Sequence, residues 1–204
     1  MKVHRAFVRR KSAIYGLLLG VSLLIVGTVS SQNLLNNPGF ENPIATSTSV
    51  LTNWSVKYSG CGPEDFCIRD RSTFANHTGT FGGHFRPVTE GTMHAYFTQY
   101  AVGLTAGANY VVSGWMMNTW QSGTTGGKIN IYIETIGGLG SVSTPTCTSA
   151  SSTWTFYSVT NTAKANTTLE VRLHYDKPSN TVITDNKGLN EASGCWDDIS
   201  VTRQ

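Results

Sequence analysis

From residue 33 onward no long stretch of this 204-residue chain sustains a helical period. Short runs rich in Val, Ile, Thr and aromatic residues alternate instead with Gly, Asn, Ser and Thr clusters such as "TAGAN" before Tyr110, "QSGTTGG" before Lys128 and "GGLGS" after Ile136. That alternation of strand formers with turn formers predicts an all-β sandwich or barrel. Strands are expected near 33–36, 52–58, 65–70, 93–102, 109–118, 128–136, 153–161, 167–175 and 195–202, with the segment 177–194 as the main loop. No repeat, coiled coil or low-complexity linker divides this region, so one domain is expected.

Residues 1–31 read differently. Lys2, Arg5, Arg9, Arg10 and Lys11 precede the apolar run Ala13 to Val26, and small residues follow, the layout of a secretory signal peptide. Cleavage after Ser31 would leave residues 32–204 as a secreted, extracellular or cell-surface domain. An uncleaved membrane anchor is the rival reading, because the run is near the lower length limit for a spanning helix. The leader holds five of the fifteen basic residues and no acidic ones, so the remainder carries 10 − 12 = −2 in place of the formal +3 of the whole chain. With no basic patch or stripe, a nucleic-acid partner is not expected.

Cys61, Cys67, Cys147 and Cys195 all fall in the exported part, and an even count in an oxidising compartment suggests two disulfides. Cys61 and Cys67 are near enough to close a small loop, which would leave Cys147 to pair with Cys195, although the sequence permits three pairings. Zinc is disfavoured by export and by the lack of a C-x-x-C pair.

Side chains alternate across a strand. In "KINIYIET" this places Ile129, Ile131 and Ile133 inward and Asn130, Tyr132 and Glu134 outward; in "LEVRLHY" it places Leu169, Val171, Leu173 and Tyr175 inward and Glu170, Arg172 and His174 outward. In "YVVSGWMMN", Tyr110, Val112, Gly114 and Met116 face in and Trp115 faces out, where a large bare ring calls for a cover. A slip of one residue would reverse that assignment.

The segment "NLLNNPGFE", then Trp54, the mid-chain "QYAVGLTAGANYVVSGW" and the closing "CWDDISV" together resemble the jelly-roll carbohydrate-binding modules of the family 4, 9 and 22 group, with a galactose-binding-like fold. The resemblance covers nearly all of residues 33–202. It implies a two-sheet antiparallel β-sandwich that binds polysaccharide or glycan without catalysis. It also implies a structural Ca2+ held by Glu41 with one or both of Asp197 and Asp198, which suits a cation that prefers several oxygen ligands. By the family's strand alternation, the strands at 65–70, 109–118, 128–136 and 167–175 would share one sheet. Its outer face would then carry Trp115, Asn130, Tyr132, Glu134, Glu170, Arg172 and His174, with Trp120 at the rim. Trp115 and Tyr132 would stack on the C–H face of a sugar, and the polar side chains would read hydroxyls, with Arg172 favouring an acidic sugar. Met116 and Met117 depart from the family pattern and leave the groove's depth open.

Two other classes compete with this one. Glu134 and Glu170 are the only outward carboxylate pair available for glycoside hydrolysis, and no other catalytic motif is visible, so an enzyme is not expected. A structural subunit that self-assembles through its strand edges is the alternative, because the chain carries no catalytic neighbour for a binding module to serve.

Overall fold

The computed structural model describes residues 31–42, 51–59, 67–87, 92–119, 124–125, 129–147, 153–164, 168–177, 182–183 and 193–204. The expected leader, Ser31 apart, lies outside them, as do Cys61 and Trp120. The strands are β1 (Ser55–Ser59), β2 (Cys67–Ser72), β3 (Gly82–Pro87), β4 (Met93–Ala101), β5 (Asn109–Thr119), β6 (Thr124–Thr125), β7 (Asn130–Ile136), β8 (Val142–Ser143), β9 (Thr155–Thr162), β10 (Leu169–Lys177), β11 (Val182–Ile183) and β12 (Ser193–Arg203). One five-stranded sheet, here sheet A, runs β1-β4-β10-β7-β8; a second, sheet B, runs β2-β3-β12-β5-β9; β11 and β6 form a small ribbon. Every strand pair is antiparallel.

The core lies between the two sheets, and the expected alternation supplies it. Ile129, Ile131 and Ile133 are buried, as are Leu169, Val171, Leu173 and Tyr175 on the neighbouring strand. Phe85 stacks on Phe97 with ring centroids 4.1 Å apart, and Trp196 meets both edge-on at 5.9 Å. The expected register of β5 also holds, with Tyr110, Val112 and Met116 buried and Trp115 on the outer side.

Three features of the elements differ from expectation. Residues 33–36 run beside β12 without forming a strand. Only Leu34 N–H to Val201 O (3.0 Å) is a ladder bond, while the Asn33 side chain accepts from Val201 N–H and donates to Ile199 O in place of a backbone. Strand β3 goes unanticipated because "GGHFRP" begins with two glycines, which normally weaken a strand. Here close approaches require both, since a Cβ on Gly82 would run into the Ala75 carbonyl and one on Gly83 would lie 2.7 Å from the Phe40 ring. Finally, Cys147 and Cys195 are free, so the bridge expected between them is not formed. Cys147 belongs to the main core, whereas Cys195 points out of sheet B into a small cluster with Ala75 and Met117.

The opening motif is a clasp at one end of the sandwich. Asn36 exchanges two hydrogen bonds with the Gln99 side chain of β4, Ile199 N–H of β12 donates to Pro38 O, and Asn37 O accepts from Trp54 Nε1 at 3.1 Å. Asn37 and Phe40 take up the left-handed backbone region (φ 48° and 57°), which turns the Phe40 ring into the core, where it stacks on Trp54 at 5.2 Å.

Candidate functional site

The outer face of sheet A carries the densest set of outward polar and aromatic side chains. Alternation and register place them in rows across strands β4, β10 and β7. Tyr96, His174 and Tyr132 form one row; Thr98, Arg172 and Glu134 the next; Tyr100, Glu170 and Ile136 a third; His94, Asp176 and Asn130 a fourth. Rows two residues apart are about 7 Å apart along the strands, so the four span roughly 20 Å.

The central row is a stack of rings. His174 lies parallel to Tyr132 at 4.5 Å and 4°, and on its other side meets Tyr96 at 5.0 Å. His174 Nε2 lies 2.9 Å from Glu134 Oε2; a carboxylate only accepts, so the imidazole proton sits on Nε2. Burial lowers the His174 pKa from its ordinary 6.5, outweighing the pull of Glu134, and the ring is neutral at pH 7. Burial, with Asp176 hydrogen-bonded to its hydroxyl, raises the Tyr132 pKa, so that phenol stays protonated.

Beside the rings runs a charged ladder. Arg172 donates from Nε (3.0 Å) and Nη2 (2.8 Å) to the two oxygens of Glu170, and its Nη1 lies 3.8 Å from Glu134 Oε2. The same guanidinium sits 4.8 Å over the Tyr96 ring. Thr98 Oγ1 donates to Glu170 Oε1, and Ser141 Oγ to Glu134 Oε1. The fork from Arg172 keeps the Glu170 carboxyl below its ordinary pKa. Side chains with planar amide, carboxylate and guanidinium groups thus flank aromatic rings on one open sheet face, an arrangement suited to molecules with both apolar faces and a rim of hydroxyls.

Six of the residues singled out from sequence meet here: Asn130, Tyr132, Glu134, Glu170, Arg172 and His174. The single sheet expected to unite them with Trp115 is not formed. Strands β2 and β5 belong to sheet B, while β7 and β10 belong to sheet A, because β5 pairs with β12 and β9. Trp115 therefore lies on the outer side of the opposite sheet, where His77 stacks on it at 4.0 Å and Phe156 meets it at 5.5 Å. Its cover is this cluster. Strand β4 contributes Tyr96, Thr98, His94 and Tyr100, none of which the sequence reading singled out. Their signal is the alternation in "HAYFTQY", with Ala95, Phe97 and Gln99 buried between them.

The three acids assigned to a metal gather at the clasp. Asp197 Oδ2 accepts from the backbone N–H groups of His77 (2.7 Å) and Thr78 (3.0 Å), and its Oδ1 from Asp198 N–H. Asp198 accepts from the His77 ring and the Thr78 hydroxyl, and Glu41 Oε1 from the N–H groups of Thr80 and Phe81. A Cβ on Gly39 would lie 3.5 Å from Asp197 Oδ1, 3.8 Å from Asp198 Oδ1 and 3.8 Å from Glu41 Cγ, so all three acids border the space above that glycine. The donor set is hard oxygen, which fits a calcium-like cation. Among the described residues no group of three or more His, Cys, Asp and Glu side chains is arranged so that it could hold a metal ion.

No protein-family model and no curated protein sequence matches the chain. Its three-dimensional structure does have counterparts. The carbohydrate-binding module TmCBM61, solved with β-1,4-galactotriose, superposes with a TM-score of 0.57 at 18% identity over 85% of this chain and 100% of its own. The CBM22-1 xylan-binding domain of Paenibacillus barcinonensis Xyn10C superposes with a TM-score of 0.51 at 13% identity over 85% of this chain and 95% of its own. The fold shared with both is a two-sheet jelly-roll β-sandwich. The same jelly roll matches part of the enzymatically active domain of tailspike protein 4 of bacteriophage CBA120, with a TM-score of 0.55 at 14% identity, over 84% of this chain but 21% of that one. At such identities the likeness is one of fold, and the site must be argued from its own residues.

Proposed function

We propose that the protein binds carbohydrate on the outer face of sheet A and does not transform it. The observation that carries this reading is the ring stack Tyr96–His174–Tyr132 flanked by the Glu170–Arg172–Glu134 ladder. Two structural neighbours, named for binding β-1,4-galactotriose and xylan, support the same class of ligand. Secretion after loss of residues 1–31 belongs to this reading, since polysaccharide is met outside the cell.

A glycan array probed with residues 32–204 tests it. Saturable binding to a related set of glycans is expected, weakened about tenfold by Tyr132→Ala, equivalent to roughly 1.4 kcal/mol. The substitution Trp115→Ala, on the other sheet, is expected to leave the affinity within threefold. Failure of a folded protein to bind any glycan would overturn the proposal.

Calcium at the clasp is a second part of the reading. Glu41, Asp197 and Asp198 would hold it, and the bound ion would tie the opening segment and the 76–81 turn to the last strand. If so, chelation lowers Tm by about 5 °C or more, the effect of losing roughly 2–3 kcal/mol of linked binding energy. Superimposable melts with and without chelator would remove calcium from the account.

A further inference from the structure

Arg172 is the residue on this face that would be expected to read an acidic sugar, yet its surroundings point the other way. The side of the guanidinium formed by Nε and Nη2 is already occupied, with both oxygens of Glu170 at 3.0 and 2.8 Å, and Nη1 faces Glu134 at 3.8 Å. Such two-pronged recognition is what makes arginine a reader of carboxylates, and here the protein's own carboxylate satisfies it. Asp176 adds a third outward acid on the same strands, while His174 is neutral at pH 7. Among the described residues Lys57, on the bordering strand β1 and exposed, is the other fixed cation of the face. A uronate approaching the rings would have to displace Glu170 from Arg172, to share that guanidinium with Glu170 and Glu134, or to turn to the exposed Lys57 at the margin of the face, where solvent and salt screen the attraction. Removing one partner of a half-buried ion pair is costly, and like charges held close repel.

Resting on the carbohydrate-binding reading above, we infer that this face selects glycans by charge, admitting neutral and amino-bearing chains and excluding uronate-bearing ones, with Arg172 acting as a positioning residue for Glu170 and Glu134. The hydroxyls of a neutral sugar can share carboxylate oxygens already held in place, and an ammonium group gains from the surplus of acids and from the tyrosine rings.

The test is an array of β-1,4-glucan, β-1,4-galactan and β-1,4-xylan backbones, each in a neutral and a uronate-bearing form, with the 2-amino form of the glucan added. On any backbone that is bound, the uronate form is expected to bind at least tenfold more weakly than the neutral one. Its affinity should rise between 50 and 500 mM NaCl, because salt screens repulsion. Substitution Glu170→Gln frees the guanidinium and should raise the uronate-to-neutral affinity ratio at least tenfold, a gain that a merely structural role for the pair would not produce. Uronate binding equal to or tighter than neutral binding, weakened by salt, would overturn the charge selection and leave the carbohydrate reading standing. No binding to any backbone, by protein shown to be folded, would instead overturn the carbohydrate reading itself.

Discussion

A carboxylate 2.9 Å from a histidine ordinarily holds the proton on the ring, but His174 is packed between two tyrosines and burial prevails. The sign of the consequence follows from linkage. A folded-state pKa below the unfolded 6.5 means that the unfolded chain takes up the proton first. The stability associated with the neutral ring is therefore complete above about pH 6.5 and is lost as the pH falls through the lowered folded value. Urea denaturation of wild type and His174→Gln across pH 7.5 to 5 should show wild type losing stability faster, so that the gap between them narrows toward acid. A gap independent of pH would show that the ring titrates as in water. Trp115 offers a contrast on the other sheet. Half-buried beneath His77 and beside Phe156, it should cost about 2 kcal/mol of stability when replaced by Ala, less than a fully buried aromatic, as measured by the same denaturation.

At the scale of elements, β12 shows why the sequence was readable in some strands and not in others. Strands β7 and β10 keep one phase throughout, so their two faces follow from alternation alone. In β12 the phase reverses: Gly194 and Trp196 face the core before a bulge between Asp197 and Ser200, and Ile199 and Val201 face it afterwards. Asp198 takes up the reversal with φ 51°, a backbone region that aspartate tolerates better than most residues. The bulge also turns Asp197 toward the 76–81 turn, where the N–H groups of His77 and Thr78 converge on it and join that of Asp198 from its own strand. Replacing Asp197 by Ala leaves those donors without their acceptor and is expected to cost about 2–4 kcal/mol in calcium-free buffer, read from denaturant midpoints. A loss below 0.5 kcal/mol would mean that water substitutes freely. In β4 a different obstacle hid Tyr96, because polar Gln99 points inward to the clasp and aromatic residues occupy both faces, so hydrophobicity no longer separates core from surface.

For the whole molecule, local pattern specifies strands far better than it specifies partners. The inward residues of β5, β7 and β10 were legible, and so was the polar face of β7 and β10. The assignment of β5 and β2 to the opposite sheet was not, because pairing depends on contacts between segments far apart in the chain. The thiols follow the same rule. Cys147 and Cys195 look like a pair by elimination, yet they belong to separate clusters on different sides of sheet B. Thiol titration in denaturant, followed by peptide mapping, should therefore find both residues unmodified by oxidation and reactive, while native protein, in which both are buried, should react slowly. Recovery of a Cys147–Cys195 cross-linked peptide would contradict this arrangement.

The position of β12 between β3 and β5 sets a timetable for the nascent chain. As residues emerge in order, β3 and β5 are both made long before the strand that joins them, and each waits with an open edge. Asn33 waits as well, since its partners lie 166 and 168 residues downstream. Contacts this distant in sequence make folding slow, and open strand edges invite wrong pairing in the interval. Sheet B can close only when residues 193–203 have appeared, so assembly is withheld until synthesis is almost finished, and a polypeptide halted at residue 192 should be a substrate for holding factors and proteases.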